Sequence, residues 1–179
     1  MESIKYIKKT LLLAAALTSS NAMANNFPYN FFEVRVGTSP GTSGVQVNQQ
    51  FTENSHIIGK IDTRFEGDWD ISGGMGFNGP ANEFADIYGQ LLLHNVKDKS
   101  SDKLGDEMLT EINLGFRVWL MQQMELGAQY GQLFSSNVQK DVGSVHFRFH
   151  STDQLSVGAE AKFGGVYGGQ MMMTARFTF

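Results

Sequence analysis

Apolar and polar residues alternate along most of the chain from Phe31 onward. The last ten residues show it most cleanly. Met171, Met173, Ala175, Phe177 and Phe179 share one face, and Met172, Thr174, Arg176 and Thr178 share the other. Side chains on a strand repeat every two residues, so this pattern predicts a half-buried strand. Nine similar stretches precede it. The first is Phe32 to Thr38, with Phe32, Val34 and Val36 opposite Glu33 and Arg35. The second is Val45 to Phe51, interrupted by Gln49. The third runs from Ile57 to about Gly67, with Ile57, Ile61 and Phe65 opposite Lys60, Asp62, Arg64 and Glu66. A glycine-rich fourth lies near Ile71 to Asn78, and a fifth spans Ala85 to Val96. The sixth, Met108 to Leu120, sets Ile112, Leu114, Phe116, Val118 and Leu120 against Glu111, Asn113, Arg117 and Trp119. Met124 to Phe134, Val142 to Phe149 and Leu155 to Phe163 complete the series. Regular strands separated by turn signals predict an all-β barrel or sandwich.

The connections alternate in kind. Those near 52–55, 79–83, 121–123 and 150–154 are short, whereas Lys97 to Glu107 is a long charged loop and Ser135 to Asp141 is a longer link. Short turns on one rim and longer loops on the other are the habit of outer-membrane barrels, with the short turns periplasmic. Phe51, Phe77, Leu120, Phe149 and Phe179 fall at the short-turn rim, and Phe65, Trp69, Phe134 and Phe163 at the other, as two aromatic girdles would. The fold expected is an antiparallel up-and-down transmembrane β-barrel of about ten strands. Eight remain if the first hairpin or the glycine-rich strand does not form. In hydrocarbon every backbone group needs an internal partner, so the sheet must close. At about eight strands side chains largely fill the interior, and ten leave somewhat more room.

The start of the chain reads as an export signal. Lys5, Lys8 and Lys9 precede a short apolar run, Leu11 to Leu17, and Ala22-Met23-Ala24 is a small-residue cleavage site. The apolar run is far shorter than the roughly 20 residues of a membrane-spanning helix. Residues 1–24 are therefore expected to be removed at Ala22 and Ala24, leaving 25–179 as one barrel domain. That part carries 17 acidic and 11 basic side chains, after subtracting Glu2 and the three lysines from totals of 18 and 14. An acidic chain without a basic cluster is a poor candidate for binding nucleic acid.

The strand faces opposite the apolar stripes bring together Arg35, Lys60, Arg64, Arg117, Arg148, Lys162 and Arg176 with Glu33, Asp62, Glu66, Asp86, Glu111, Glu125 and Glu160. Seven bases meet seven acids although the loops are acidic. An unpaired charge in a narrow lumen costs several kcal/mol, so a lumen network is expected from this set. A soluble barrel would wet the same face and need no such balance.

Several features resemble the small outer-membrane β-barrel proteins of Gram-negative bacteria, the OmpA/OmpX-like group in the broad sense. They are Asn113-Leu-Gly-Phe-Arg-Val-Trp-Leu120, the short turn after it, and Glu125-Leu-Gly-Ala-Gln-Tyr130. Asp86-Ile-Tyr-Gly89 and the final Arg176-Phe-Thr-Phe179 add to the likeness. The resemblance implies the cell outer membrane as location, with membrane lipid and lipopolysaccharide as surroundings. It also implies that Phe177 and Phe179 are read by the barrel-assembly machinery. Cell-wall anchoring is not expected from this resemblance.

Chemistry is hard to place. His150, Ser151 and Asp153 are the right residue types for nucleophilic catalysis, but neighbours on one turn seldom align as base, nucleophile and orienting acid. His94 and Asp86 share a face at eight residues' remove, roughly 26 Å along a strand. His146 is expected to sit in the lumen network. No cluster of three or four metal ligands stands out, and there is no cysteine. Gly73-Gly-Met-Gly76 lacks the Lys-Ser/Thr and the helix of a phosphate loop. No catalytic, metal or cofactor residue is assigned. The function expected is a structural or surface-interaction role, with loop 97–107 as the candidate contact for an extracellular partner. The alternative is a narrow passive pore, and a barrel enzyme acting on lipid A or peptides is the weakest reading.

Overall fold

The computed structural model describes residues 25–97, 107–136 and 139–179. The export signal with Ala22 and Ala24, and the charged loop from 98 to 106, lie outside the described residues. Ten antiparallel strands form one closed barrel. They are β1 (Phe31–Thr38), β2 (Gly41–Thr52), β3 (Ser55–Thr63), β4 (Trp69–Asn82), β5 (Ala85–Lys97), β6 (Glu107–Met121), β7 (Met124–Phe134), β8 (Gln139–His150), β9 (Leu155–Phe163) and β10 (Gln170–Thr178). Each strand pairs with the next, and β1 pairs with β10, with Phe31 opposite Thr178 and Gly37 opposite Met172. The ten-strand reading holds over the eight-strand alternative. The glycine-rich segment is a full strand of 14 residues.

Alternation decides which way each side chain faces. In β1 the buried positions are Phe31, Glu33, Arg35 and Gly37, and in β10 they are Gln170, Met172, Thr174 and Arg176. The outer face is apolar: Val36, Ile57, Leu114, Val157 and Met173 are about half exposed or more. An apolar surface wrapped all round the molecule is far beyond what a water-facing monomer exposes. It suits hydrocarbon.

Three boundaries differ from expectation. The first hairpin turns on Ser39 and Pro40 alone, not on a six-residue link, because β2 starts at Gly41. The short-turn links shrink to 53–54, 83–84, 122–123 and 151–154. The third strand stops at Thr63 rather than near Gly67. There the Asp68 carboxylate accepts the backbone N–H groups of Arg64 and Glu66 and the Arg64 guanidinium, turning the chain out of the ladder. Gly73-Gly-Met-Gly76 is an uninterrupted part of β4; a Cβ on Gly76 would run into the His56 ring.

Candidate functional site

The lumen is polar because the inward half of the alternation carries the charges. Most of the expected network falls there, though as separate clusters. Glu33 accepts from Arg148 at 2.6 Å and from Arg176 at 2.8 Å. Arg176 stands opposite Glu33 in the β1–β10 ladder, so this pair lies on the closing seam. Arg148 reaches it from β8. Arg35 pairs with Asp62 across β2. Between them sits Gly44, opposite both residues in register. A Cβ there would lie 2.6 Å from the carbonyl of Ile61 and overlap the Asp62 carboxylate, so only glycine lets the pair close over the middle strand.

Arg117 donates twice to Glu125, at 2.7 and 3.0 Å. The same carboxylate receives His146 at 3.1 Å and His150 at 2.9 Å. Glu111 contacts His94 at 3.2 Å, and His94 in turn contacts Asp70 at 2.8 Å. Lys60, Glu160 and Lys162 line the central cavity. Asp86 stands at the short-turn mouth and accepts from Asn26.

Two expected members are not in this network. Arg64 and Glu66 were assigned to the lumen by extending β3. The turn at 64–68 places Glu66 in the open and binds Arg64 to Asp68 at 2.6 Å. Burial would raise the Asp68 carboxyl, but hydrogen bonds from the Arg64 side chain and from two backbone N–H groups hold it below its usual value. His150, expected on a solvated turn, ends β8 and leans on Trp119 with ring centroids 4.7 Å apart. Among the described residues no group of three or more His, Asp or Glu side chains is arranged to hold a metal ion.

Three contributors escaped the sequence reading. The first is Asp70, which meets His94, already read as sharing the face of Asp86, and through it Glu111; the β4–β5 register sets Ser72 opposite His94. The second is Asn25 to Asn30, which precedes the first predicted strand and yet enters the short-turn mouth. Phe27 and Tyr29 there are 2 % and 3 % exposed. Burial pushes the Tyr29 phenol above its usual value, with the nearby Arg117 opposing that rise. The third is an apolar collar at the opposite end. Val166, from the β9–β10 loop, packs with Val96, Leu109, Leu133 and Val142. These inward apolar residues carry the same period as the charges, and only the loop's inward fold shows what they meet.

Between the two ends lies a cavity of about 80 Å³. At about 15 Å³ per enclosed water it has room for a handful. Its lining holds six bases (Arg35, Lys60, Arg117, Arg148, Lys162 and Arg176) and two acids (Glu33 and Glu160). The partner carboxylates Asp62 and Glu125 are in contact with the bases but do not line the cavity. The waist is thus basic although the whole lumen is nearly balanced.

No protein-family model matches the chain, and no curated sequence matches it either. Solved structures do match in fold. The KdgM porin, in complex with disordered oligogalacturonate, superposes with a TM-score of 0.56 at 8 % identity, over 83 % of this chain and 99 % of that one. The KdgM porin alone gives the same TM-score and identity, with 98 % of its chain covered. The NanC porin gives a TM-score of 0.51 at 8 % identity, over 83 % of this chain and 98 % of that one. The expectation of a structural or surface-interaction role is corrected by these matches, which favour its alternative, a pore. The sequence alone could not weigh the two, because alternation fixes which residues face inward and not how much space they leave. The fold, a closed ten-stranded antiparallel barrel, is similar to that of the KdgM and NanC porins.

Proposed function

We propose that the chain is a narrow outer-membrane pore that passes small solutes by passive diffusion and favours anions. The basic waist carries this reading: six cationic side chains against two anionic ones line one polar cavity. A positive lining in a low-dielectric wall concentrates anions and repels cations. Arg35 Nε and Arg148 Nε are buried and find no acceptor among the described residues. A buried donor left dry costs about 1–3 kcal/mol, so water or an anionic solute is the natural occupant. The KdgM porin, similar in fold, is in complex with oligogalacturonate, an anionic solute of the kind a basic waist favours.

The location in the outer membrane follows from the apolar outer band and the export signal read in residues 1–24. Lipid and lipopolysaccharide as surroundings belong to the same reading. Recognition of Phe177 and Phe179 by the assembly machinery rests on the sequence ending. Membership of the narrower OmpA/OmpX-like group rests on the sequence motifs alone.

Planar-bilayer recording with refolded protein tests the pore. The expected result is steady single-channel steps whose reversal potential in a KCl gradient shows chloride preference. Folded barrels that never conduct would overturn it.

A further inference from the structure

We propose that Asn25–Pro28 and Tyr29 form a gate seated in the short-turn mouth, which must swing out before the pore passes solute at its full rate. This rests on the pore reading above. The segment lies inside the barrel but belongs to none of the ten strands. Its hydrogen bonds to the wall are of a kind that water can replace at little net cost, unlike a strand's continuous ladder, so two stacked aromatic rings are its main hold. The Phe27 ring stacks on the indole of Trp119, with centroids 4.7 Å apart and planes 12° from parallel. Its other neighbour is the Arg117 guanidinium, 4.4 Å from the ring centre. Asn26 is held to the wall through Asp86 at 2.9 Å and the Asn82 carbonyl at 2.7 Å. Tyr29 stacks on His56 and also lines the central cavity, so it forms the floor of that space.

The segment has a hinge and a place to leave from. Asn30 is fixed on both sides: its side chain accepts the Gln50 N–H at 2.6 Å, and its carbonyl accepts the Phe179 N–H at 3.3 Å. Everything before Asn30 can therefore move while β1 stays in the sheet. On departure Arg117 gives up the Pro28 carbonyl but keeps both hydrogen bonds to Glu125, and Asp86, which gives up Asn26 and Tyr29, is left to be solvated by the water that enters the mouth. Trp119 keeps His150. Two arrangements of similar free energy are what a gate requires, and a short segment outside the strand ladders opens more readily than a strand.

The chain has no cysteine, so engineered thiols are unique. Three proteins are compared with the intact barrel in planar bilayers. One lacks residues 25–29. One carries Phe27→Ala and Tyr29→Ala. One carries Asn25→Cys and Glu53→Cys, joined by a short cleavable thiol cross-linker; the Asn25 side chain donates to the Glu53 carbonyl. Truncation and the double alanine variant should raise single-channel conductance several-fold. The cross-linked barrel should stay at the low level until the linker is cleaved. Equal conductance in the intact, truncated and cross-linked barrels would overturn the gate and leave the pore standing. Silence in all of them, with heat-modifiable gel migration proving they are folded, would overturn the pore itself. Should the truncated chain not fold, cleavage of the linker in the full-length barrel still decides: no rise on cleavage rejects the gate.

Discussion

At the scale of single residues, the lumen depends on where side chains are missing as much as on where they are present. Gly44 shows this, lying beneath the Arg35–Asp62 pair. Gly44→Ala should part that pair. Separating a buried ion pair costs about 3–5 kcal/mol, so a fall of that order in urea-unfolding free energy is expected, far above the few tenths expected at an open glycine such as Gly41. Asp68 acts differently, since it shapes a turn outside the spanning segments. A carboxyl held below its usual value stabilises the folded turn above the ordinary carboxylate range, and the benefit fades as pH falls through the lowered value. Asp68→Asn should therefore cost about 1–2 kcal/mol at neutral pH. The gap between variant and parent should narrow below about pH 4, which unfolding curves at several pH values would show. The periodicity of β3 predicted Lys60 and Asp62 correctly as inward. It failed at Arg64 and Glu66, because a local carboxylate captured the backbone and no alternation can signal that.

At the scale of elements, the closing seam is the most exacting feature. β1 and β10 come from opposite ends of the described chain, and their ladder is reinforced by Glu33 with Arg176, and by Arg176 lying 3.7 Å over the Phe31 ring. Glu33 also holds Arg148, so Glu33→Gln leaves two buried guanidinium groups short of a countercharge. A loss of about 3–5 kcal/mol is expected, read as a lower urea midpoint for the shift in heat-modifiable gel migration. The outward face obeys the opposite rule. Leu114 lies at the middle of β6 and is 55 % exposed. Leu114→Arg should cost about 2–4 kcal/mol in lipid vesicles and much less in a detergent that yields to the charge. Equal costs in the two media would mean that this face does not meet a bilayer.

At the scale of the whole molecule, a nearly neutral lumen sorts its charges by position. Bases gather at the waist, whereas Asp62, Asp70 and Glu111 stand toward the long-loop end and Asp86 toward the short-turn mouth. Lys60→Glu together with Lys162→Glu changes the lining without touching the Glu33 or Glu125 clusters. Chloride preference in a KCl gradient should fall to parity or reverse, while the folded gel mobility stays unchanged. Selectivity that does not move would show that the waist is not on the conduction path.

The sequence by itself determined the all-β class, the two faces of nearly every strand and the location of most lumen charges, and it narrowed the strand count to about ten with eight as the alternative. The physical reason is that a pleated strand has a fixed period, so facing is a local property. It left open how those charges group. Glu33 collects one arginine from the adjacent strand and another from three strands away around the wall, and Arg35 reaches over a glycine to a third strand. Such meetings depend on register and closure, which are set between strands and not along them. In the segment 25–30 Phe27 and Tyr29 continue the inward parity of Phe31 and Glu33, but its place inside the lumen, outside the sheet, follows from partners on β3, β5 and β6. Whether the interior is filled or leaves a basic cavity is likewise decided only once ten strands close on one another, because the remaining space is a property of the ring.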